Sequence, residues 1–149
     1  MHPNPSSQPT GSAIHQDKVR AYHETEYWVD PPAAMVLRIG ERCEALAHLH
    51  TKHGVVESAF LTARNPCGQE LPDAENAARE QALVEEVRRH GLTLITGAGK
   101  HPSNGWPPEP SVLVLGLGLD QARELGKAWQ QDAIVWAGAD AVPQLILLR

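Results

Sequence analysis

The chain is poor in several residue types, and each shortage excludes a class of protein. It has 149 residues with only two cysteines and no partner motif for either, which does not suit a disulfide framework. Only 13 residues are lysine or arginine and the formal net charge is −5, which argues against binding to a nucleic-acid backbone. No stretch approaches the ~18 apolar residues of a membrane span, and the first residues carry no apolar signal segment. These absences predict a cytoplasmic protein with free thiols and with neither nucleic acid nor membrane as a partner.

The remaining composition is that of a globular domain. Hydrophobic residues make up 42% and charged residues 21% of the chain, so disorder throughout is not expected. Residues 1–14 are mostly Pro, Ser, Asn, Gln and Gly, and a segment with so little to bury cannot offset its ordering entropy. They are predicted to form a disordered N-terminal tail. Because no repeat or interior linker follows, residues 15–149 are predicted to form a single globular domain.

Strand-like and helix-like apolar patterns interleave along this domain. Helices are predicted at residues 17–23, 41–53, 74–90 and 120–130, and strands at residues 25–29, 35–39, 55–63, 92–96, 111–117, 133–137 and 144–148. A long Gly- and Pro-rich loop is predicted at residues 97–110. This interleaving predicts an α/β or α+β fold, a single small domain in which a mixed β-sheet is flanked by helices. The predicted core comprises Val56, Phe60, Leu83, Val87, Val112, Val114, Leu125 and Ile134.

Two glycine-rich segments invite comparison with nucleotide-binding loops. Gly97-Ala98-Gly99-Lys100 lacks the first glycine of the phosphate-loop motif and is followed by His101 instead of Ser or Thr, so a flexible turn is the favoured interpretation. A looser anion site on its backbone N–H groups stays open. Gly116-Leu117-Gly118 lies between a predicted strand and a predicted helix, but Gln121 occupies the third glycine position of the dinucleotide motif. We therefore predict no cofactor.

Eight histidines raise the question of a metal site. His50 and His53 share a predicted helix face, but no carboxylate completes a ligand spacing and no HExxH or CxxC pattern occurs, so no metal site is predicted. The GxSxG pattern of a serine nucleophile is absent from the sequence too. A pair formed by Cys67 and His101 stays open as a nucleophile and its base, with an inert loop thiol as the favoured interpretation.

Five segments of the chain occur in the order of the motifs of a known family. They are Tyr22-His23-Glu24-Thr25-Glu26-Tyr27, Thr62-Ala63-Arg64-Asn65-Pro66, Glu75-Asn76, Trp106-Pro107-Pro108-Glu109-Pro110-Ser111 and Trp129-Gln130-Gln131-Asp132-Ala133-Ile134. On these segments the chain resembles the bacterial domain-of-unknown-function 3293 family over most of residues 20–149. Three departures are visible: Arg64 replaces an aromatic residue, an extra proline precedes Glu109, and Asp132 replaces an asparagine. The resemblance implies a fold and a pocket but no particular reaction.

The polar residues of these motifs make up the predicted site. Glu109 is the candidate catalytic residue, because Trp106 and the adjacent prolines are expected to desolvate its carboxyl and raise its pKa. The others stand at strand ends and in first helix turns, where α/β sheets gather their ligand sites. Asparagines at such positions also serve purely structural roles. The candidate ligand-binding residues are Thr25, Asn65, Asn76, Ser111 and Gln131.

Two functions fit this sequence. The first is a binding domain for a small polar or nucleotide-like metabolite, in which catalysis by Glu109 is left open. The second is a non-catalytic protein-interaction or regulatory module, in which the polar residues only tie loops together. A pocket at Asn65, Glu109 and Gln131 would favour the first, and a network satisfied internally would favour the second. The sequence does not indicate the oligomeric state.

Overall fold

The computed structural model describes residues 14–103 and 105–149. The predicted tail lies outside the described residues except for Ile14, which is buried. No helix in this part of the chain is both long and apolar enough to cross a membrane. The described residues contain four α-helices, seven strands and one 3₁₀ turn: α1 (Gln16–Glu24), β1 (Glu26–Val29), β2 (Met35–Leu37), α2 (Glu44–Lys52), β3 (Ser58–Leu61), the turn Pro66–Gly68, α3 (Asp73–Arg89), β4 (Leu94–Lys100), β5 (Glu109–Leu115), α4 (Leu119–Ala128), β6 (Ala133–Ala137) and β7 (Gln144–Leu147).

The seven strands form one sheet in the order β2-β1-β4-β5-β3-β6-β7. All six pairings are antiparallel, whereas a mixed sheet was predicted. The pairings are antiparallel because of the way the helices connect the strands. α3 joins β3 to β4, and α4 joins β5 to β6; each pair of strands points the same way, but an antiparallel strand lies between its members. The predicted single domain is confirmed, and its class is α+β.

Each face of the sheet packs its own apolar core. α2 covers one face, where its Leu46 and Leu49 belong to the same buried cluster as Phe60 and Leu113. α3 and α4 cover the other face. Six predicted core residues are fully buried and Leu125 is partly buried. Val56 was placed in the core wrongly: it is 62% exposed, because β3 begins only at Ser58.

The predicted loop at residues 97–110 differs most from the structure. Residues 97–100 continue β4 and pair with β1, and Glu109 already belongs to β5, so the connection shrinks to residues 101–108. A Cβ atom at Gly97 would lie against the backbone of Trp28 and 3.2 Å from the ring of Phe60. The tandem glycines are therefore neither a phosphate loop nor a flexible turn; the first of them permits close packing within the sheet.

Val114 provides a test of this architecture, because it is completely buried in β5 between β3 and β4. Val114→Ala should lower the free energy of unfolding by about 2 kcal/mol, since the smaller side chain leaves a cavity. The matched control, Val56→Ala, removes the same groups from an exposed position and should change stability by less than about 0.5 kcal/mol. Urea unfolding measures both changes, and equal losses in the two variants would contradict the central position of β5.

Candidate functional site

Polar side chains collect at one edge of the sheet, where β3 ends and where β5 and β6 begin. Because β5 and β6 run antiparallel to β3, the residues that follow β3 meet the residues that precede the other two strands. The hydroxyl of Thr62 donates to the carbonyl of Pro110 at 2.8 Å, and Nε2 of Gln131 donates to the carbonyl of Arg64 at 3.1 Å. We call this group the strand-end cluster and define it as Lys18, Tyr22, Arg64, Arg79, Glu109, Gln131, Asp132 and Arg149.

Asn65 and Asn76 join the turn after β3 to the start of α3. Asn76 is buried; its Oδ1 accepts from the backbone N–H of Asn65 at 2.9 Å, and its Nδ2 donates to Oδ1 of Asn65 at 2.9 Å. Oδ1 of Asn65 also accepts from the backbone N–H of Leu71 at 3.1 Å. The two predicted ligand-binding residues thus lie together as predicted. Their amide groups are engaged in holding the turn.

The backbone beside the cluster is strained. Asn65, Cys67 and Gln130 adopt positive φ angles of 48°, 53° and 60°, and they are three of the five non-glycine residues in the described ranges that do so. The turn after β3 and the turn before β6 are tied together, since the backbone N–H of Cys67 donates to the carbonyl of Gln130 at 2.5 Å. Such conformations cost roughly 1–3 kcal/mol each and cluster at functional sites.

Arg79 bonds the two turns beside the cluster to each other, a role that the sequence did not reveal. Its Nε donates to the carbonyl of Ala63 at 2.6 Å and its Nη2 to the carbonyl of Trp129 at 2.7 Å, while its guanidinium stacks 5.4 Å from the centroid of the Trp129 ring. One side chain of α3 therefore fixes both turns that carry the cluster. Its spacing on α3 is that of any helix arginine, so no sequence signal distinguished it.

Asp132 is the buried anion of the cluster. Its side chain is 4% exposed; Oδ2 accepts from Nζ of Lys18 on α1, and Oδ1 accepts from Nη1 of Arg149 at 2.5 Å. Burial alone would raise the pKa of Asp132, but the hydrogen bonds and charges of Lys18 and Arg149 outweigh it and hold the pKa below its ordinary value. The backbone of Gly68 packs directly against Lys18, so α1 is held to the turn after β3.

Glu109 is the first residue of β5 and lies opposite Gly99 in the sheet. Its carboxyl is half-buried and makes no hydrogen bond or ion pair with any residue that the structure describes. Burial raises its pKa above the ordinary value; the charges of Arg64 and Lys18 oppose this rise, and the charge of Glu80 adds to it. The raised pKa has the predicted direction, and burial is its largest cause; Trp106, which was expected to contribute to that burial, is itself 68% exposed.

Tyr22 of α1 is the aromatic residue of the cluster. Its hydroxyl makes no hydrogen bond with a described residue, while its backbone carbonyl accepts from the hydroxyl of Tyr27 at 2.7 Å. Burial raises the pKa of Tyr22, and the negative charges of Asp132 and Glu109 raise it further. Tyr22 is therefore a neutral hydrogen-bonding group near Glu109.

The other predicted site residues lie at the margin of the cluster. Ser111 is buried, and its hydroxyl donates to the carbonyl of Glu109 at 3.0 Å. Thr25 ends α1, where its hydroxyl donates to the carbonyl of Ala21 at 2.7 Å. Nε2 of Gln131 donates to two carbonyls, which leaves its Oε1 without a donor among the described residues.

Two cavities were found near these elements in the described part of the chain. A 220 Å³ cavity is lined by Thr62, Pro110 and Ser111, and by residues of α3 and β4. A 410 Å³ groove lies between α3 and α4. Neither is lined by Asn65, Asn76, Glu109 or Gln131, so neither of these two cavities is the pocket that was predicted at those residues.

The histidine-rich segment has a structural partner. Nε2 of His50 lies 2.8 Å from the hydroxyl oxygen of Ser58 in the core under α2, and burial lowers the pKa of His50. Within residues 14–103 and 105–149, no group of three or more His, Cys, Asp or Glu side chains is arranged to hold a metal ion. His101 lies 3.0 Å from Glu24, at the end of α1.

The Asn65–Asn76 pair gives a prediction on stability. Asn76→Ala should lower the free energy of unfolding by about 3 kcal/mol, because it leaves the backbone N–H of Asn65 and the carbonyl of Leu71 without their partner. Gln81→Ala is the control, an exposed position on the same helix. Chemical unfolding compares the two variants, and similar small losses in both would show that the pair does not hold the turn.

Asp132 gives a prediction on pH. A carboxyl whose folded pKa is depressed adds stability above its unfolded pKa, and that stability is lost as the pH falls through the folded pKa. Wild-type stability should therefore decline between about pH 5 and about pH 2 more steeply than that of Asp132→Asn. The exposed control, Asp120→Asn, should follow the wild type in thermal unfolding. Parallel curves for all three proteins would refute the role of the buried bridge.

The comparisons with known proteins concern mainly the second half of the chain. Residues 61–134 match the model of a family described as protein of unknown function (DUF3293). The matched segment contains the turn after β3, α3 and Glu109, but neither α1 nor Arg149. No curated protein and no solved structure matches the chain significantly. The chain resembles the DUF3293 family over residues 61–134, which confirms the predicted resemblance there; the predicted motif at residues 22–27 lies outside the match.

Proposed function

We propose that the strand-end cluster binds a small polar metabolite and that Glu109 is the side chain that recognises it. The observation that supports this is the Glu109 carboxyl, which has no hydrogen-bond or ion-pair partner in residues 14–103 and 105–149, whereas Lys18, Arg64, Asp132 and Arg149 are all in ion pairs. A fully buried acceptor without a partner costs roughly 1–3 kcal/mol, and a half-buried one costs part of this. A ligand that donates to or accepts from this carboxyl removes that cost.

Two further groups of the cluster have unused hydrogen-bonding capacity. The Tyr22 hydroxyl has no partner among the described residues, and neither has Oε1 of the buried Gln131, whose amide orientation is fixed by the two carbonyls that Nε2 contacts. With Glu109, these groups come from α1, from the turn before β6 and from β5. A site for a polar molecule needs such convergent groups on separate elements.

The surroundings of these groups support a preorganised site. Arg79 fixes both turns, Asn65 and Asn76 fix one of them, and Asp132 fixes α1. Binding sites require supporting contacts of this kind, because a side chain held in place loses little entropy when the ligand arrives. If the bound molecule is a substrate, Glu109 is the candidate general acid, because its pKa is shifted upward, the direction that such a role requires.

The second candidate function is a non-catalytic interaction or regulatory module. The full mutual pairing of Asn76 with Asn65 and Leu71 supports it, as does the lack of contact between these residues and either cavity. In that case Glu109 would have no ligand.

We propose a bacterial cytoplasmic location and no nucleic-acid partner. The free thiols of Cys43 and Cys67, the net charge of −5 and the family resemblance support this assignment.

Replacement of Glu109 separates the two functions. Native mass spectrometry of the freshly purified chain, followed by thermal-shift screening of a library of small polar metabolites, should identify molecules that raise the Tm. Glu109→Ala should weaken their binding more than about tenfold, because a hydrogen bond to the carboxyl is lost. The matched control Glu41→Ala, at an exposed loop position, should bind as the wild type does.

The stability of Glu109→Ala is an independent measurement. Because the carboxyl makes no hydrogen bond within the described chain, its removal should leave the Tm unchanged or raise it slightly. A Tm that falls by more than about 5 °C, together with no molecule whose binding needs Glu109, would refute the binding function and favour the interaction module.

A further inference from the structure

We propose that the 220 Å³ cavity between α3 and the sheet is a second binding site, and that it takes a small organic cation whose ammonium or guanidinium head donates hydrogen bonds. None of the eight residues of the strand-end cluster lines this cavity. The inference therefore concerns a different site and does not rest on the proposed function.

The walls of the cavity come from neighbouring strands and one helix. Thr96 of β4 lies opposite Val112 of β5, and the backbone N–H of Asp30, which follows β1, donates to the carbonyl of Thr96 at 3.0 Å. These three residues form one row across the sheet, and all of them line the cavity. α3 supplies the opposite wall with three residues whose spacing places them on one face of the helix, namely Glu80, Leu83 and Val84.

The three hydroxyl groups that line the cavity already donate their hydrogens to the protein. The hydroxyl of Thr96 donates to Oδ2 of Asp30 at 2.7 Å. The hydroxyls of Thr62 and Ser111 donate to backbone carbonyls at 2.8 Å and 3.0 Å. A hydroxyl has one hydrogen and two lone pairs, so these groups can only accept from a ligand.

The two carboxylates that line the cavity can also only accept. Asp30 is in no ion pair with a residue that the structure describes, and its Oδ1 makes no hydrogen bond with one. Oε1 of Glu80 accepts from Nη1 of Arg64 at 2.6 Å, which offsets its charge, while its Oε2 makes no hydrogen bond within the described ranges. No described lysine, arginine or histidine lines the cavity. Its side chains therefore present acceptors and the uncompensated negative charge of Asp30.

Such a wall favours a ligand that donates hydrogen bonds and carries positive charge. An anion would be repelled by Asp30, and an acceptor group would find no side-chain donor. Ammonium and guanidinium groups have several N–H donors, and their charge-assisted hydrogen bonds to carboxylates are among the strongest in proteins. The volume is below the ~300 Å³ at which sites for drug-sized ligands begin, so the cation is small. The apolar side chains of the wall suit a short aliphatic chain; they are Ala63, Leu83, Val84 and Val112.

The experiment titrates the full chain with butylammonium chloride and methylguanidinium chloride at constant ionic strength, with binding followed by NMR. Tetramethylammonium chloride and sodium acetate are the comparison salts. At least one of the two N–H cations should bind saturably and shift the signals of residues that line the cavity, and the tighter of the two identifies the head group. Tetramethylammonium should bind at least about tenfold more weakly, because it has the charge but no N–H group.

Three variants test the location. Asp30→Asn should weaken binding of the tighter cation about tenfold or more, since it removes the charge but keeps an oxygen for the hydroxyl of Thr96. The matched control Glu124→Gln removes a carboxylate from the groove between α3 and α4 and should change the affinity less than about twofold. Val84→Phe keeps every charge but fills the cavity, and should abolish binding. Because Asp30 is exposed, its variant remains informative even if Val84→Phe does not fold.

Four results would overturn the inference. One is the absence of saturable binding by both N–H cations, or tighter binding of acetate. Another is equal weakening by Asp30→Asn and Glu124→Gln, which would indicate general attraction of cations to a chain with a net charge of −5. Binding that survives in a folded Val84→Phe variant would place the cation outside the cavity. Cation binding that is lost in Glu109→Ala but kept in Asp30→Asn would assign the cation to the strand-end cluster, which would remove this inference and support the proposed function.

Discussion

A single buried carboxylate connects the parts of this chain that are most distant in sequence. Asp132 accepts from Lys18 at the start of the domain and from Arg149 at position 149, and it stands beside the turns that follow β3 and precede β6. A buried charge is tolerated only when it is paired, so these three side chains position one another. α1 has no fully buried residue, and this bridge is therefore a principal link between α1 and the sheet. The environment of Glu109 and Tyr22 depends on α1 staying there.

The elements that were predicted well are those whose pattern is decided locally. β6 was predicted at residues 133–137, where the structure has it, because five apolar residues stand between clear turn signals. α3 was predicted within one residue at each end, at residues 74–90, whereas the structure has it at Asp73–Arg89. The loop at residues 97–110 was mispredicted because Gly97 and Gly99 are turn residues by local propensity. Tertiary packing against Trp28, Phe60 and Tyr27 makes them strand residues.

The candidate site was predictable to the extent that it depends on strand ends. Asn65, Asn76 and Gln131 were expected to lie close together because their motifs stand at strand ends, and the structure brings them together. Lys18, Arg79 and Arg149 were not predicted, because a long charged side chain has the same local pattern on any exposed face. Arg64 and Asp132 were visible in the sequence only as departures from a family motif. Their ion pairs, with Glu80 and with Lys18 and Arg149, became apparent only from the arrangement of the chain.

The residues in and around the strand-end cluster differ in whether their hydrogen-bonding groups are engaged. Asn65, Asn76, Arg79 and Asp132 have their hydrogen-bonding groups engaged, and each ties two segments together. Glu109 begins β5 and is partly removed from water, but it makes no hydrogen bond or ion pair with the residues that the structure describes. Natural selection for stability alone would favour either a partner for this carboxyl or an apolar residue in its place. A polar group left unsatisfied among bonded neighbours is expected where a protein sacrifices stability for a ligand, and this difference is why the proposed function is assigned to Glu109 and not to the residues that hold the turns.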